Sequence, residues 1–512
     1  MKSIEIMDTT LRDGEQMQNV SYTTEEKLAI SKILLTEVKV DRLELTSARA
    51  STGEKFFVEK VTKWAEEAGY INALEILSFV DKTKSIDWAI SVGIKRINLL
   101  TKGSKKHCEN QLGKNLKEHL HDIYETINYA IQKNIEVNVY LEDFSNGIKD
   151  SPDYVFEMID NLIKLPIKRI MLPDTLGIFN PFETYDYVKL LVEKYPHVHF
   201  DFHPHNDYGL GVANALAAAK AGAKGLHVTV NGMGERAGNA SLDEVVVGLK
   251  DFFGFKTGIC EKELYKASKM VEMFSGQRVA NNKPIYGANV FTQTAGIHAD
   301  GDKKGNLYAN KLVPERFGRV REYALGKLSG KASLEMNLKK LGIELDEEKK
   351  KILLDKIIEL GDKKKVVTIE DLPYIIDDIF EMPQEVSFKL IHCVINTTYN
   401  LKPFSAVKCS YNNEVMDAYA YGDGGYDAFM NALKQILQRF NITIPNLVDY
   451  VVTIPPGGKT DALVQTTIYW ELKDENNKVE HIVTRGLNPD QIIAAIEATI
   501  RMINQILLRK KK

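Results

Sequence analysis

The sequence has few cysteines and no long apolar run, and each of these features excludes some classes of protein. Its four cysteines are scattered and form no CxxC pair, which argues against a disulfide framework and against a thiolate zinc site. No apolar stretch reaches the ~20 residues that a membrane helix requires, and the opening MKSIEIMDTT lacks the apolar core of a secretory signal. We therefore expect a cytoplasmic protein without a membrane partner.

The chain also lacks an excess of charge of either sign. Its net charge of -3 over 512 residues gives no reason to expect a nucleic-acid partner. The hydrophobic fraction of 44% and the charged fraction of 27% are typical of a globular protein. A chain of this length predicts more than one domain.

Short apolar runs alternate with amphipathic stretches from residue 3 to about residue 250. Roughly eight such alternations match a (β/α)8 TIM barrel in count and in length. An open doubly wound sheet is the alternative, but the GxGxxG fingerprint that would follow its first strand is absent. The predicted strands are residues 4–8, 42–46, 74–80, 96–101, 137–143, 169–174, 198–203 and 225–231.

The alternation stops after about residue 275, which divides the chain into three parts. We predict a catalytic TIM barrel over 1–275 and a linker region over 276–384 that completes the active site. This linker begins with glycine-rich loops and continues as helices near 331–342 and 346–381. From 385 to 512, strand patterns such as VDYVVTIP and helical patterns such as DQIIAAIEATIRMINQILL predict an α+β regulatory domain.

Histidines dominate the seventh predicted strand, HVHFDFHPHND. All four of them would lie on the same side of the strand, so the alternation alone does not indicate which pair binds a ligand. A TIM-barrel site lies at the C-terminal ends of the strands, which selects His203 and His205. With Asp13 after the first strand, they form a site suited to a divalent ion such as Mn²⁺, Mg²⁺ or Zn²⁺. Histidines that bind no metal are the alternative interpretation.

Other polar residues follow the predicted strands or lie in the linker region. Arg12 beside Asp13 is placed to stabilise an alkoxide that forms from a metal-bound ketone, although DTTLRDGEQ also reads as a helix cap and turn. Glu142 is a candidate general acid or base. His298 and Tyr308 are candidate proton-transfer groups if the linker covers the barrel mouth, and otherwise lie in surface turns.

These motifs together resemble the DRE-TIM metallolyase superfamily, in the branch of 2-isopropylmalate, homocitrate and citramalate synthases. DTTLRDGEQ, HPHND, NGMGERAGN, GIHADG and the GDGGYDA stretch of the tail stand in the family's order, and the resemblance covers essentially the whole chain. It implies an acyltransferase that carries out a Claisen-type condensation of acetyl-CoA with a 2-oxo acid and releases CoA.

The resemblance also implies roles for individual residues. Asp13, His203 and His205 would bind the metal, with Asn239 as a further ligand. Arg12, Asp13, Glu142 and Thr175 would contact the 2-oxo acid, and the catalytic residues would be Arg12, Glu142, His298 and Tyr308.

Three positions carry the prediction of which 2-oxo acid is used. Leu77, Leu100 and Tyr140 resemble the pyruvate pocket of citramalate synthases, because bulky walls leave room for a methyl but crowd an isopropyl group. Ordinary barrel-core packing is the alternative interpretation of these residues. The alternative activity is that of a 2-isopropylmalate synthase, which uses 2-oxoisovalerate in leucine biosynthesis. A homocitrate synthase would need a cation for the distal carboxylate.

The tail resembles the allosteric domain of these synthases, and GDGGYDAF in place of GDGPVDA favours isoleucine over leucine as the inhibitor. Family members are homodimers, so a homodimer in isoleucine biosynthesis is expected. A catalytically silent amino-acid sensor and a metal-dependent acyl-CoA lyase are the alternatives from other classes. The residues that match isoleucine-site positions are Tyr426, Asp427, Leu447, Tyr450, Ile454, Val464, Pro489 and Gln491.

Overall fold

Eight parallel strands close into a barrel in the computed structural model, each hydrogen-bonded to the next in sequence order. The prediction of a TIM barrel is therefore confirmed. The strands are β1 Glu5–Asp8, β2 Arg42–Ser47, β3 Leu74–Phe79, β4 Arg96–Lys102, β5 Glu136–Glu142, β6 Ile170–Asp174, β7 Phe200–Pro204 and β8 Gly225–Val228.

The structure describes residues 2–293, 300–301, 304–305, 307–362, 367, 369, 372–380, 388–453, 464–473 and 479–510. The chain divides into two compact units. The first comprises Met1–Gln293 and Gly301–Glu322, and the second comprises Thr294–Asp300 and Tyr323–Lys512. No helix in the described ranges is long and apolar enough to cross a membrane.

Helices cover the outside of the barrel because each buries an apolar stripe against the strands. α5, for example, buries Ile123, Ile127 and Ala130, and Asn115 forms a capping box at its start. The helices of this unit are α1 Thr24–Lys32, which continues as a π-helical segment over Ile33–Val38, α2 Thr52–Ala68, α3 Lys84–Ser91, α4 Lys105–Leu112, α5 Leu116–Gln132, α6 Phe144–Asp150, α7 Pro152–Leu162, α8 Pro181–Lys194, α9 Gly211–Ala221, α10 Leu242–Phe253 and α11 Leu264–Ser275.

Charged side chains fill the lower part of the barrel interior, near the N-terminal ends of the strands. Arg42 lies 2.5 Å from Asp201 and 3.2 Å from Glu75, and all three are buried. Arg169 pairs with Glu5 at 2.6 Å. Each buried charge thus has an opposite partner, as low-dielectric burial requires. Toward the C-terminal ends of the strands, apolar side chains follow these charged ones, and polar side chains follow in turn.

The second unit contains a helical part and two antiparallel sheets, which confirms the predicted helical linker region and α+β tail. The sheet orders are β11-β12-β13 and β14-β15-β16. The short strands β9 Thr292–Gln293 and β10 Glu322–Tyr323 precede this part of the chain. The remaining elements are α12 Lys331–Leu341, α13 Glu347–Asp362, α14 Leu372–Phe380, β11 Lys389–Asn396, β12 Phe404–Tyr411, β13 Glu414–Tyr421, α15 Gly425–Arg439, β14 Asn446–Thr453, β15 Val464–Lys473, β16 Val479–Asn488 and α16 Gln491–Lys510.

Candidate metal centre and active site

The loop after β1 is a tight turn that fixes Arg12 and Asp13 at the barrel mouth. The backbone carbonyl of Thr9 accepts hydrogen bonds from the N–H groups of Arg12 at 3.2 Å and Asp13 at 2.9 Å. The Thr10 hydroxyl accepts from the N–H of Val230 at 2.8 Å, which ties this loop to the end of β8. The DTTLRDG segment therefore has a defined backbone from which both charged side chains project.

Asp13, His203 and His205 converge on one point, and all three are buried. Asp13 Oδ2 lies 3.1 Å from Nε2 of His203 and 3.8 Å from Nε2 of His205. The two Nε2 atoms are 3.4 Å apart. Carboxylate oxygen and imidazole nitrogen atoms at these separations could hold one metal ion, and we call these residues the metal triad.

Asn239 lies beside the metal triad, because a β-bridge pairs it with His205. Its Nδ2 donates to the Met233 carbonyl at 3.1 Å, which fixes the amide orientation. Its Oδ1 and Asp13 Oδ1 are buried without a hydrogen-bond partner among the described residues. Two buried oxygen atoms that lack partners are what a site for a divalent cation would provide. The residues present therefore fit a metal ion.

Gly234 shows why the NGMGERAGN loop needs its second glycine. A Cβ at this position would lie 2.1 Å from Nδ2 of Asn239 and 3.3 Å from Oδ1 of Asp13. Its φ of +148° is also a conformation that residues with side chains rarely adopt. The glycine thus lets the loop approach the metal triad closely.

Arg12 is held at the metal triad by two carboxylates. Its Nη1 lies 2.9 Å from Asp13 Oδ2, and its Nε donates to Glu44 Oε2 at 2.6 Å. Glu44 also accepts from the hydroxyl of Thr9 at 2.8 Å and from the amide of Asn98 at 2.7 Å. Glu44 was not among the predicted site residues. Its acidic side chain within the apolar run RLELT was the available signal.

Burial and charge act in opposite directions on the ionisable groups here. Burial alone would raise the pKa of Asp13, but Arg12 and the imidazole of His203 hold this pKa well below its usual range. Burial also opposes ionisation of Glu44, yet Arg12 brings its pKa below the ordinary value. Burial lowers the pKa of His205 to about 4, against the effect of Asp13. A neutral imidazole beside an ionised carboxylate suits metal ligation.

An apolar cluster lies in the barrel interior next to the metal triad. It contains the three predicted pocket residues, Leu77, Leu100 and Tyr140, together with Met7 and Met171. The Tyr140 ring meets the His203 ring edge-on, with 6.0 Å between the centroids. The structure therefore brings the predicted pocket residues together beside the metal triad. The two methionines were missed because a strand pattern does not reveal cross-barrel neighbours.

The hydroxyl of Tyr140 makes a buried polar contact inside the barrel. It lies 3.0 Å from Nδ1 of His227, whose Nε2 lies 3.1 Å from Asp201 Oδ2. All three side chains are buried. These contacts link Tyr140, a predicted pocket residue, to the charged residues near the N-terminal ends of the strands. The sequence did not predict these contacts.

Glu142 and Thr175 occupy the strand ends near the mouth. Glu142 forms an ion pair with Lys102, whose backbone N–H donates to Nε2 of His119 at 3.1 Å. The Thr175 hydroxyl accepts from the N–H of Asp143 at 2.9 Å. Direct roles of Glu142 and Thr175 toward a substrate remain predictions.

The structure describes only one of the two candidate residues from the linker region. His298 lies outside the described residues. Tyr308 is 48% exposed, and its ring lies against Gly301, where an added Cβ would meet it at 2.4 Å. A catalytic role for either residue remains a prediction.

The predicted isoleucine site lies in the second unit. Tyr426 and Tyr450 have ring centroids 5.5 Å apart, and the Tyr426 hydroxyl lies 2.7 Å from Oγ1 of Thr499, a residue that was not predicted. The Gln491 carbonyl accepts from Thr466 Oγ1 at 3.4 Å. Ile454 lies outside the described residues. Asp427 accepts from the N–H of Asp423, Leu447 is exposed, Val464 is buried and Pro489 is exposed.

Family models match nearly the whole chain. The model described as HMGL-like matches residues 3–271. The homocitrate synthase post-HMGL domain-like model matches residues 285–365, and the LeuA allosteric (dimerisation) domain model matches residues 366–507.

Two curated relatives from one organism, Methanocaldococcus jannaschii, match along nearly their full lengths. Its 2-isopropylmalate synthase is 34% identical over 517 residues, with 99% of this chain and 95% of that protein covered. Its (R)-citramalate synthase CimA is 32% identical over 509 residues, with 98% of this chain and 99% of that protein covered. Overall identity therefore does not distinguish the two activities. The distinction has to rest on the side chains that line the pocket.

Proposed function

Because the chain belongs to the HMGL-like family, in the group of 2-isopropylmalate, homocitrate and citramalate synthases, we propose that it is a metal-dependent (R)-citramalate synthase. The reaction joins acetyl-CoA and pyruvate to give citramalate and CoA, in isoleucine biosynthesis in the cytoplasm. The observation that carries this proposal is the apolar cluster of Leu77, Leu100, Tyr140, Met7 and Met171 beside the metal triad.

The cluster favours a small apolar group on the 2-oxo acid. A methyl group would lie against leucine, methionine and tyrosine side chains, whereas the distal carboxylate of 2-oxoglutarate would be desolvated there without a cation. The isopropyl group of 2-oxoisovalerate is larger by two carbon atoms, and the side chains of Leu77, Leu100 and Tyr140 would crowd it. Pyruvate is therefore the proposed substrate over the alternative, 2-oxoisovalerate.

In the proposed mechanism, Asp13, His203, His205 and Asn239 hold a divalent ion, which supplies Lewis acidity toward the ketone of pyruvate when bound. One of three proposed catalytic residues, Glu142, His298 or Tyr308, acts as the base that removes a proton from the methyl group of acetyl-CoA. The resulting carbanion forms the new C–C bond with the ketone carbon. The guanidinium of Arg12 stabilises the alkoxide until it takes up a proton. Water then cleaves the thioester, which releases CoA and leaves the second carboxylate.

We further propose that isoleucine binds the domain matched by the LeuA model and inhibits the enzyme. Tyr426, Tyr450, Leu447 and Val464 would supply apolar contacts, as a branched aliphatic side chain requires. A homodimer is supported by the outer face of β13, where Tyr419 is 68% exposed and Tyr421 is 63% exposed. Large exposed aromatic side chains on one sheet face are typical of interfaces between proteins.

The test is release of CoA from acetyl-CoA and pyruvate, with Mn²⁺ present, by wild type and by His203→Ala. We expect the variant to lose at least about a thousandfold in rate, because one of three closely spaced ligands is gone. His197→Ala is the matched control: this exposed histidine precedes the same strand at the opposite end of the barrel. Undiminished turnover by His203→Ala would reject the metal site.

The same assay separates the alternatives. Titration with isoleucine and with leucine identifies the inhibitor, and stronger inhibition by leucine would favour the 2-isopropylmalate branch. Binding of an amino acid without CoA release from any 2-oxo acid would indicate a catalytically silent sensor.

A further inference from the structure

We propose that His227 is a positioning residue that sets the substrate range by anchoring the Tyr140 ring as a fixed wall of the pocket. The inference rests on the proposed function, because it concerns how the same pocket distinguishes a methyl group from a larger substituent. His227 would do so without touching the substrate.

The contacts form one continuous chain through the barrel interior. The Tyr140 hydroxyl on β5 lies 3.0 Å from Nδ1 of His227 on β8. Nε2 of the same ring lies 3.1 Å from Oδ2 of Asp201 on β7. The exposed fractions are 2%, 1% and 0% for Tyr140, His227 and Asp201. Water therefore does not compete for these hydrogen bonds, and each has close to its full strength.

Asp201 is itself fixed, so the anchor does not move with the tyrosine. Arg42 on β2 lies 2.5 Å from Oδ2 of Asp201, and His199 lies 2.9 Å from its Oδ1. Arg42 is in turn held by Glu75 on β3 at 3.2 Å. Residues on β2, β3 and β7 thus determine the position of the carboxylate that orients His227.

The Tyr140 ring is where this anchoring would affect the substrate. Its ring belongs to the apolar cluster with Leu77, Met7 and Met171, and its edge faces the His203 ring. Because its hydroxyl is engaged by His227, the ring has a fixed orientation within the apolar cluster. Without this hydrogen bond the ring can change its χ angles, and the wall loses its fixed position.

The experiment measures kcat/KM for pyruvate relative to 2-oxoisovalerate in wild type, His227→Leu and His227→Gln. His227→Leu removes both hydrogen bonds, and we expect the preference for pyruvate to fall at least about tenfold, the range that one or two methylenes control. The loss should fall mainly on KM for pyruvate. The glutamine amide has both a donor and an acceptor, so His227→Gln should retain most of the preference.

Tyr140→Phe tests the same contact from the other side and remains informative if His227→Leu does not fold. It removes only the hydroxyl, and it should lower the preference as His227→Leu does. The two changes should not add when combined, because they remove one interaction. Tyr195→Phe is the matched control, since it removes a tyrosine hydroxyl that donates to Asp160 at 2.8 Å, outside this chain of contacts.

The outcomes separate the two proposals. A wild type that does not prefer pyruvate contradicts the proposed function. A wild type that prefers pyruvate, with folded His227→Leu or Tyr140→Phe variants that keep the full preference, overturns the role of His227. Loss of preference in Tyr195→Phe to the same extent would also overturn it, because the effect would then not depend on the Tyr140 hydroxyl.

Discussion

At the scale of single residues, the contact between Arg12 and Glu44 fixes a cation beside the metal triad. Both are largely buried, and the carboxylate of Glu44 orients the guanidinium through its Nε. A charge-assisted hydrogen bond of this kind contributes about 1.5–3 kcal/mol. The proposed stabilisation of an alkoxide by Arg12 requires that the position of its guanidinium is fixed.

Glu44→Gln should therefore lower kcat about 10–100-fold with a smaller change in the KM for acetyl-CoA, because it weakens the orientation of Arg12. The measurement is steady-state kinetics of CoA release. Glu37→Gln, which changes an acidic residue in an ion pair with Lys266 near the protein surface, is the matched control and should retain the wild-type kcat. A wild-type kcat in Glu44→Gln would show that Arg12 does not depend on this carboxylate.

Asp243 provides a prediction about pH. Burial raises the pKa of this carboxyl to about 7, although Lys283 lies 3.8 Å away and lowers it. A carboxyl whose pKa is higher in the folded state favours folding below about pH 4 and loses that contribution as the pH rises through about 7. This group should cost the wild type about 2–3 kcal/mol of stability between pH 5 and pH 8.

Asp243→Asn should remove this pH dependence. We expect the free energy of unfolding of the variant, relative to wild type, to be higher at pH 8 than at pH 5 by about 2–3 kcal/mol. Urea denaturation of the full chain at both pH values measures it. An equal difference at the two pH values would mean that Asp243 does not change its protonation state on unfolding.

The sequence predicted which side chains lie at the strand ends, but it did not predict which other residues contact them. Period-two alternation and barrel polarity were sufficient to select His203 and His205 from four histidines on one parity. They could not predict Glu44, Met7 or His227 as neighbours of the site. Which side chains meet inside a barrel depends on the stagger between strands, and a single strand does not contain that information.

At the scale of elements, two glycines let the segments around β4 and β5 approach each other. A Cβ on Gly147 in α6 would lie 2.0 Å from the carbonyl oxygen of Gly103, just after β4. A Cβ on Gly103 would lie 2.4 Å from the Leu141 carbonyl oxygen in β5. Both contacts involve backbone atoms, which cannot move as easily as the end of a side chain.

Gly147→Ala should therefore destabilise the barrel by about 1–3 kcal/mol, because α6 must move away from the loop after β4. The shift in the urea midpoint measures this. Gly53→Ala in α2 is the matched control, since its nearest heavy atom is 3.7 Å away and alanine favours a helix. Equal effects of the two substitutions would contradict a specific backbone contact.

The predicted strands agree with the structure to within a few residues, because each is a short apolar run between turn residues. The alternation predicts one helix between successive strands, whereas the structure has α4 and α5 after β4, and α6 and α7 after β5. FSNGIKD, which forms α6, contains glycine, serine and asparagine and has no helical apolar period. In the tail, AVKCSYNNEVMDAYAYG forms two strands joined at Asn412 and Asn413, whose φ angles of 49° and 64° suit a tight hairpin turn.

At the scale of the whole molecule, the chain combines a barrel matched by the HMGL-like model with a tail matched by an allosteric domain model. The barrel could be predicted from the count and spacing of its strands. The sheet orders of the tail could not, because they depend on pairing between strands that are distant in sequence. The proposed control of the barrel by the tail requires an amino-acid site, and Leu447 offers a way to test it.

Leu447→Glu should weaken inhibition by isoleucine at least about tenfold, because it introduces a charge into the proposed apolar site. The measurement is the isoleucine concentration that halves the rate of CoA release. Val448→Glu is the matched control: the two residues are 43% and 42% exposed, and only Leu447 is a proposed contact. Equal loss of inhibition in both variants, or in neither, would reject Leu447 as part of the site.

The central claim is that the apolar cluster beside the metal triad selects pyruvate. The most direct test is kcat/KM for pyruvate, 2-oxoisovalerate and 2-oxoglutarate, measured in parallel by CoA release with the wild-type protein and Mn²⁺. The account predicts the highest value for pyruvate, by at least about tenfold over 2-oxoisovalerate, and negligible turnover of 2-oxoglutarate. Faster turnover of 2-oxoisovalerate than of pyruvate would contradict it.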